Sequence, residues 1–278
     1  DGESIPALKR FSLELLVFKP NYMYRFRTSG LDPAPLIRVG TRSQESVIEG
    51  KRGIYFHHDT GFYRYSGGYP IEISRPISDV VEAIEVSQYD DVAGWKDSNH
   101  IYWSIGNVTL AGPKGNETWR NVVVRYTESS DIWTVYTYPS DIRRGTAFLT
   151  AVSSSVAVGF DDGTVGEFNK GLTDIGEPIK YQLITKWYEW EGIENTKVIT
   201  KMMALAEKGM GMNIMYQTDD YEDWMTLAKD LRKLITLFKK PTKKFNRIRF
   251  KITGVSSSES SVFLGLEILE GINEGIIG

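Results

Sequence analysis

The chain has no cysteine among its 278 residues. That excludes disulfides, thiolate metal sites and a cysteine nucleophile, and it leaves the redox compartment open. Histidine is nearly absent too, with three residues, so no Ser-His-Asp order stands out. No apolar run approaches the ~20 residues that span a bilayer, and no signal peptide is visible. No glycine-rich loop opens a helix, which argues against that route to nucleotides. Charge of one sign is also missing: the balance is -3, which for the whole chain suggests no nucleic-acid partner. The first residue is Asp1 rather than Met, so a processed chain or a fragment is expected.

What is present is aromatic and repetitive. Aromatics make up 12%, a content that suits pleated, half-buried surfaces and interfaces. One phrase recurs, an apolar strand, a tight polar turn and a second strand ending in an aromatic. It runs through Leu15–Phe18 and Met23–Phe26, then Gly53–Phe56 and Phe62–Tyr65, then Val156–Phe160 and Thr164–Phe168. Phe18 and Phe56 lie 38 residues apart, the spacing of one four-stranded propeller blade. Such a blade cannot bury its faces alone, so Phe18, Phe56, Tyr102 and Val158 are expected between blades.

Residues 1–175 therefore read as an all-β propeller with about four blades visible. Only Ile77–Ile84 has a helical face there, formed by Val80, Val81 and Ile84. Residues 176–278 read as a separate β-sandwich-like domain, opened by one long strand, Ile179–Tyr188. In Arg247–Ile252 the alternation is strict, basic residues on one side and apolar ones on the other. The stretch from Trp224 through Leu227, Leu231 and Leu234 to Phe238 fits a helical period as well as a strand.

The strongest constellation is Arg232–Lys251. Nine basic and no acidic residues make it +9, leaving -12 for the rest of the chain. The candidate contacts are Lys239, Lys240, Lys243, Lys244 and Arg247, with the lysines on a loop or hairpin tip around Pro241-Thr242. A block this one-sided is an electrostatic surface for an acidic neighbour or DNA phosphates; the plain alternative is a solvated edge guarded against aggregation. No aromatic residues interleave with it as in a known nucleic-acid module. His57-His58 reads as turn residues rather than a metal site, and Asp161-Asp162-Gly163 as a hairpin turn. Asn107 and Asn116 head glycosylation sequons. No catalytic, cofactor or metal residues are assigned.

The phrases His100–Gly106, Asn121–Thr127, Ile132–Tyr136 and Val158–Asn169 carry a resemblance, together with the long Tyr181–Tyr188 strand. The chain resembles bacteriophage tail and head-to-tail connector propeller proteins, the nozzle or DNA-stabilisation factors of short-tailed phages. The resemblance runs from Leu15 to about Leu269. It implies a non-enzymatic virion protein in the tail or neck, assembled as a homo-oligomeric ring, a hexamer, around the DNA exit channel. Implied partners are portal, adaptor and other tail proteins, with non-specific contact to double-stranded DNA and no membrane span. The alternative reading is a carbohydrate-binding or glycoside-hydrolase propeller, in which exposed Tyr and Trp stack on sugars.

Overall fold

The computed structural model describes residues 4–27, 30–112, 115–149, 154–168, 173–174, 177–189, 196–207, 211–231, 235–238, 242–256 and 262–274. The chain divides into two compact units, Asp1–Lys170 and Gly171–Gly278.

In the first unit the strands form four antiparallel meanders in chain order. The first is β1 (Ala7–Phe11), β2 (Glu14–Phe18), β3 (Met23–Arg27) and β4 (Gly30–Ile37). The second is β5 (Ile48–Glu49), β6 (Ile54–His58), β7 (Gly61–Tyr65) and β8 (Ile71–Glu72). A short helix, α1 (Ser78–Glu82), buries Val80 and Val81 before the third sheet begins. That sheet is β9 (Ala93–Lys96), β10 (His100–Gly112), β11 (Gly115–Thr127) and β12 (Ile132–Thr137). The fourth has three strands, β13 (Ile142–Leu149), β14 (Ser154–Phe160) and β15 (Val165–Phe168).

Period-2 alternation explains how these sheets stack. Phe18 and Met23 of the first sheet meet Ile54 and Phe56 of the second. Tyr55 and Phe62 turn the other way and meet Ile101, Trp103, Val122 and Val124 of the third. Tyr102 and Val123, again reversed, meet Ile142, Val156 and Val158 of the fourth. Each core thus lies between consecutive sheets, the blade-on-blade packing of a propeller. Phe18, Phe56, Tyr102 and Val158 sit on the second strand of their sheets and are all but fully buried. Phe18 and Phe56 touch ring to ring at 5.0 Å. Gly145 is required at one such contact, because a Cβ there would lie 2.4 Å from the Trp95 ring.

Buried polar bonds tie the sheets together where packing alone has no direction. The Glu128 carboxylate accepts from the Lys51 and Arg52 backbone N–H groups and from the Tyr55 hydroxyl, at 3.2, 3.1 and 2.9 Å. Trp103 donates to the Ser46 carbonyl and Trp133 to that of Ile73.

The second unit contains β16 (Thr173–Asp174), β17 (Glu177–Ile184), β18 (Tyr188–Glu189), β19 (Thr196–Glu207), β20 (Met212–Thr218), β21 (Met225–Leu231), β22 (Ile235–Phe238), β23 (Arg247–Ser256) and β24 (Val262–Glu274). One sheet runs β16-β17-β23-β20-β21, with β18 also on β23; the other runs β22-β19-β24. Ile214, Ile248, Phe250 and Ile252 from the first pack with Ile199, Met202 and Ala204 from the second, so the unit is a β-sandwich.

Two expectations change, and one open reading is settled. His57 and His58 are not turn residues: they end β6, both buried, and the turn is Asp59-Thr60. Aromatic packing decides this, since His57 lies between Phe62 and Tyr89 at 5.1 and 5.2 Å. The stretch that fitted either period is strand where it is described, at Met225–Leu231 and Ile235–Phe238. Bulges between β20 and β21 reset the alternation, which makes the apolar spacing mimic a helical period. The single long strand Ile179–Tyr188 is broken into β17 and β18.

Candidate basic and aromatic face

β23 is flanked by β17 and β18 on one side and β20 on the other. It is therefore an interior strand, and its cations are not guarding an edge. Ile248, Phe250 and Ile252 fill the core, which leaves Arg247, Arg249 and Lys251 in a row on the opposite face.

Two indoles flank that row. Ile184 pairs with Lys251 and Tyr188 with Ile248, so four steps on one strand match three on the other. This one-residue bulge is closed by Thr185, whose N–H donates to the Phe250 carbonyl and whose hydroxyl accepts from the Phe250 N–H. In an uninterrupted strand counted from Ile184, Trp187 would turn into the core. The extra residue puts it on the outer face instead. There its ring lies 4.9 Å from the Arg247 guanidinium and 4.6 Å from that of Arg249. Trp224, just before β21, approaches from the other side, 5.2 Å from Arg249 and 5.4 Å from Lys251. The result is a row of three cations walled by two aromatic rings.

Arg249 is held in place. Its Nε donates to Gln217 Oε1 at 2.8 Å, and the buried Gln217 donates in turn to the Glu222 carbonyl. Burial, then the charge of Arg247, lowers the Arg249 pKa from its ordinary value. Among the described residues, none of Arg247, Arg249 and Lys251 makes an ion pair. Like charges at every second position repel, and the cation–π contacts offset only part of that, about 0.5–1 kcal/mol each at exposed sites. The face thus presents positive charge with no acidic partner among the described residues.

Of the residues singled out from sequence, Arg247 lies in this row. Lys239 and Lys240 lie outside the described residues. Lys243 and Lys244 are exposed in the connection from β22 to β23. The described part of that connection, from Thr242, is pinned: Thr242 exchanges hydrogen bonds with Ile199, and Phe245 with Lys197. Lys243 lies 5.9 Å from the Tyr221 ring. Sequence reading missed Trp187, Trp224 and Gln217, because a bulge and a strand pairing bring them to β23. Both indoles come from outside the basic segment and meet it only in three dimensions.

A second feature lies in the first unit. A cleft of about 170 Å³ is lined by Gln88, Asp91, Ser104, Asn107, Asn121, Asp141 and Arg143 among others. Arg143 bridges its two carboxylates, 3.4 Å to Asp141 and 3.8 Å to Asp91, and Ser104 donates to Asp141. Positive φ at Gly106 and Asn121 and two bulges in β10 shape its wall. The guanidinium between the carboxylates is the opposite of the apolar surrounding that a general acid needs. Among the described residues no cluster of metal-ligating side chains occurs, and no helix is long and apolar enough to cross a membrane.

No protein-family model matches the chain, and no curated protein does. Among solved structures it is similar to the Neurospora crassa Pan2 WD40 domain, with a TM-score of 0.37 and 12% identity over 62% of this chain and 47% of that one. The chain spans about half the length of that domain. It is similar to the computationally designed Ika4 protein, with a TM-score of 0.35 and 10% identity over 62% and 94% of the two chains. A glycoside hydrolase aligns with 94% of this chain and 83% of its own, at a TM-score of 0.28 and 12% identity. At these scores the likenesses carry no argument; the propeller-like reading of the first unit rests on its sheet order and its cores.

Proposed function

We propose that this chain is a structural protein of a phage tail or head-to-tail connector, of the nozzle or stopper type. It assembles as a homo-oligomeric ring, a hexamer, around the DNA exit channel and retains or gates packaged DNA. Its work is mechanical, and it carries no catalytic residues. The observation that supports this reading is the row Arg247, Arg249 and Lys251, three cations and two indoles displayed with no acidic partner among the described residues. Trp and Arg are the residues enriched among those that dominate protein–protein contacts. A heterologous contact of this kind closes into a ring when its rotation permits.

Imaging of the purified particle with the chain labelled tests the reading. A ring of label at the tail or neck is expected. A chain absent from purified particles overturns it.

The cleft at Asp91, Asp141 and Arg143 favours the second reading, a carbohydrate-binding or glycoside-hydrolase propeller, because its lining is polar throughout except Ile105 and Gly106. Saturable glycan binding that Asp141→Ala abolishes would support it.

A further inference from the structure

The row on the sandwich has a counterpart of opposite charge on the first unit. Between Arg75 and Lys96 the sequence contains no basic residue and five acidic ones, Asp79, Glu82, Glu85, Asp90 and Asp91.

 Asp90 and Asp91 have basic neighbours in Arg42 and Arg143. Asp79, Glu82 and Glu85 are all exposed, and among the described residues none makes an ion pair. They lie on and just after α1, which buries Val80 and Val81, with Ile84 buried after it. Beside them Val86 is 66% exposed, an apolar surface within an acidic one.

We infer that the acidic row Asp79, Glu82 and Glu85 of one copy docks on the basic row Arg247, Arg249 and Lys251 of the next. The occupant of the basic face is thus a second copy of this chain. Three carboxylates meet three cations, none of the six in an ion pair among the described residues, and Val86 supplies an apolar contact for the indoles. Each copy offers one row of each sign, on different units, so the contact is head-to-tail and propagates from copy to copy. The inference rests on the ring reading above and names the surfaces that form the ring.

Charge reversal tests it, read as mass by light scattering, with circular dichroism as the check on folding. Wild type is expected to have a multiple of the 31.5 kDa chain mass. Arg249→Glu with Lys251→Glu is expected to fall to one chain mass, and so is Glu82→Lys with Glu85→Lys. All four substitutions together are expected to restore the wild-type mass, since both signs are then inverted. If a reversed variant does not fold, Arg249→Gln and Glu82→Gln replace them, each expected to weaken assembly at least tenfold. An oligomer that survives both single sets overturns this interface and leaves the ring reading standing. A folded four-substitution chain that stays monomeric also overturns the interface. A monomeric wild type removes the ring reading and the inference with it.

Discussion

The two units use the same charged side chains in opposite ways. In the first, cations are tied to acids: Arg27 to Glu14 at 2.9 Å, Arg42 to Asp59 at 2.9 Å and Arg52 to Asp131 at 3.0 Å. In the second, Arg247, Arg249 and Lys251 are tied to indoles and keep their charge available. Tryptophan differs in the same way. Trp103 is fully buried between sheets, whereas Trp187 walls an open face. The lesson is that charge spent internally fixes a scaffold, and charge left without an acid marks a surface meant for something else.

The comparison breaks most easily at tryptophan. Trp103→Ala should destabilise the first unit by about 3–5 kcal/mol, as large aromatic truncations in cores do. Trp187→Ala should cost the second unit about 1 kcal/mol or less while weakening assembly. Denaturant unfolding of both variants checks this, and equal losses would erase the distinction. Gly145→Ala should come next. Its Cβ would collide with Trp95, and overpacking of this kind costs about 1–3 kcal/mol.

Acid should separate the units further. Burial pushes the His57 imidazole down to about 3, below its ordinary 6.5. The unfolded chain therefore takes up a proton that the folded unit refuses, and stability falls as pH drops from 6.5 towards 3. The slope is about 1.4 kcal/mol per pH unit at most. Burial alone would raise the Glu14 and Asp59 carboxyls. Hydrogen bonds from Tyr65 and Arg27 to Glu14, and from Arg42 to Asp59, outweigh it and hold both below their usual values. Their contribution is present above the unfolded carboxylate pKa and is lost as pH falls through the folded one. Acid titration followed by hydrogen exchange should find the first unit opening first, and His57→Leu should flatten its slope above about pH 4. Simultaneous opening would count against this.

The smallest effect should come from the row itself. Arg249→Gln should change stability by about 0.5 kcal/mol or less, since like-charge repulsion is relieved as stacking is lost. A loss above about 2 kcal/mol, in the range of core substitutions, would make Arg249 part of the scaffold instead.

Much of this was legible in the chain. The recurring phrase located the hairpins, because each buries alternate residues against a neighbour, and the Arg247–Ile252 alternation gave the orientation of β23. Three things were not legible. β4 carries Gly30, Pro33 and Pro35, which argue against a strand; it forms at the edge of its sheet, where a missing N–H is tolerated. The bulge that turns Trp187 outward depends on pairing with a distant strand. Buried histidine looked like turn chemistry, since polar residues beside Asp and Gly usually are.

The sheet order of the first unit also implies an order in time. Each core needs only two sheets that are consecutive in the chain. As the polypeptide leaves the ribosome, the first two sheets can close on each other before the third exists. Translation at about 5–20 residues per second delivers a ~40-residue blade every few seconds. The unit can thus be completed as it is made, each new sheet finding its predecessor already in place.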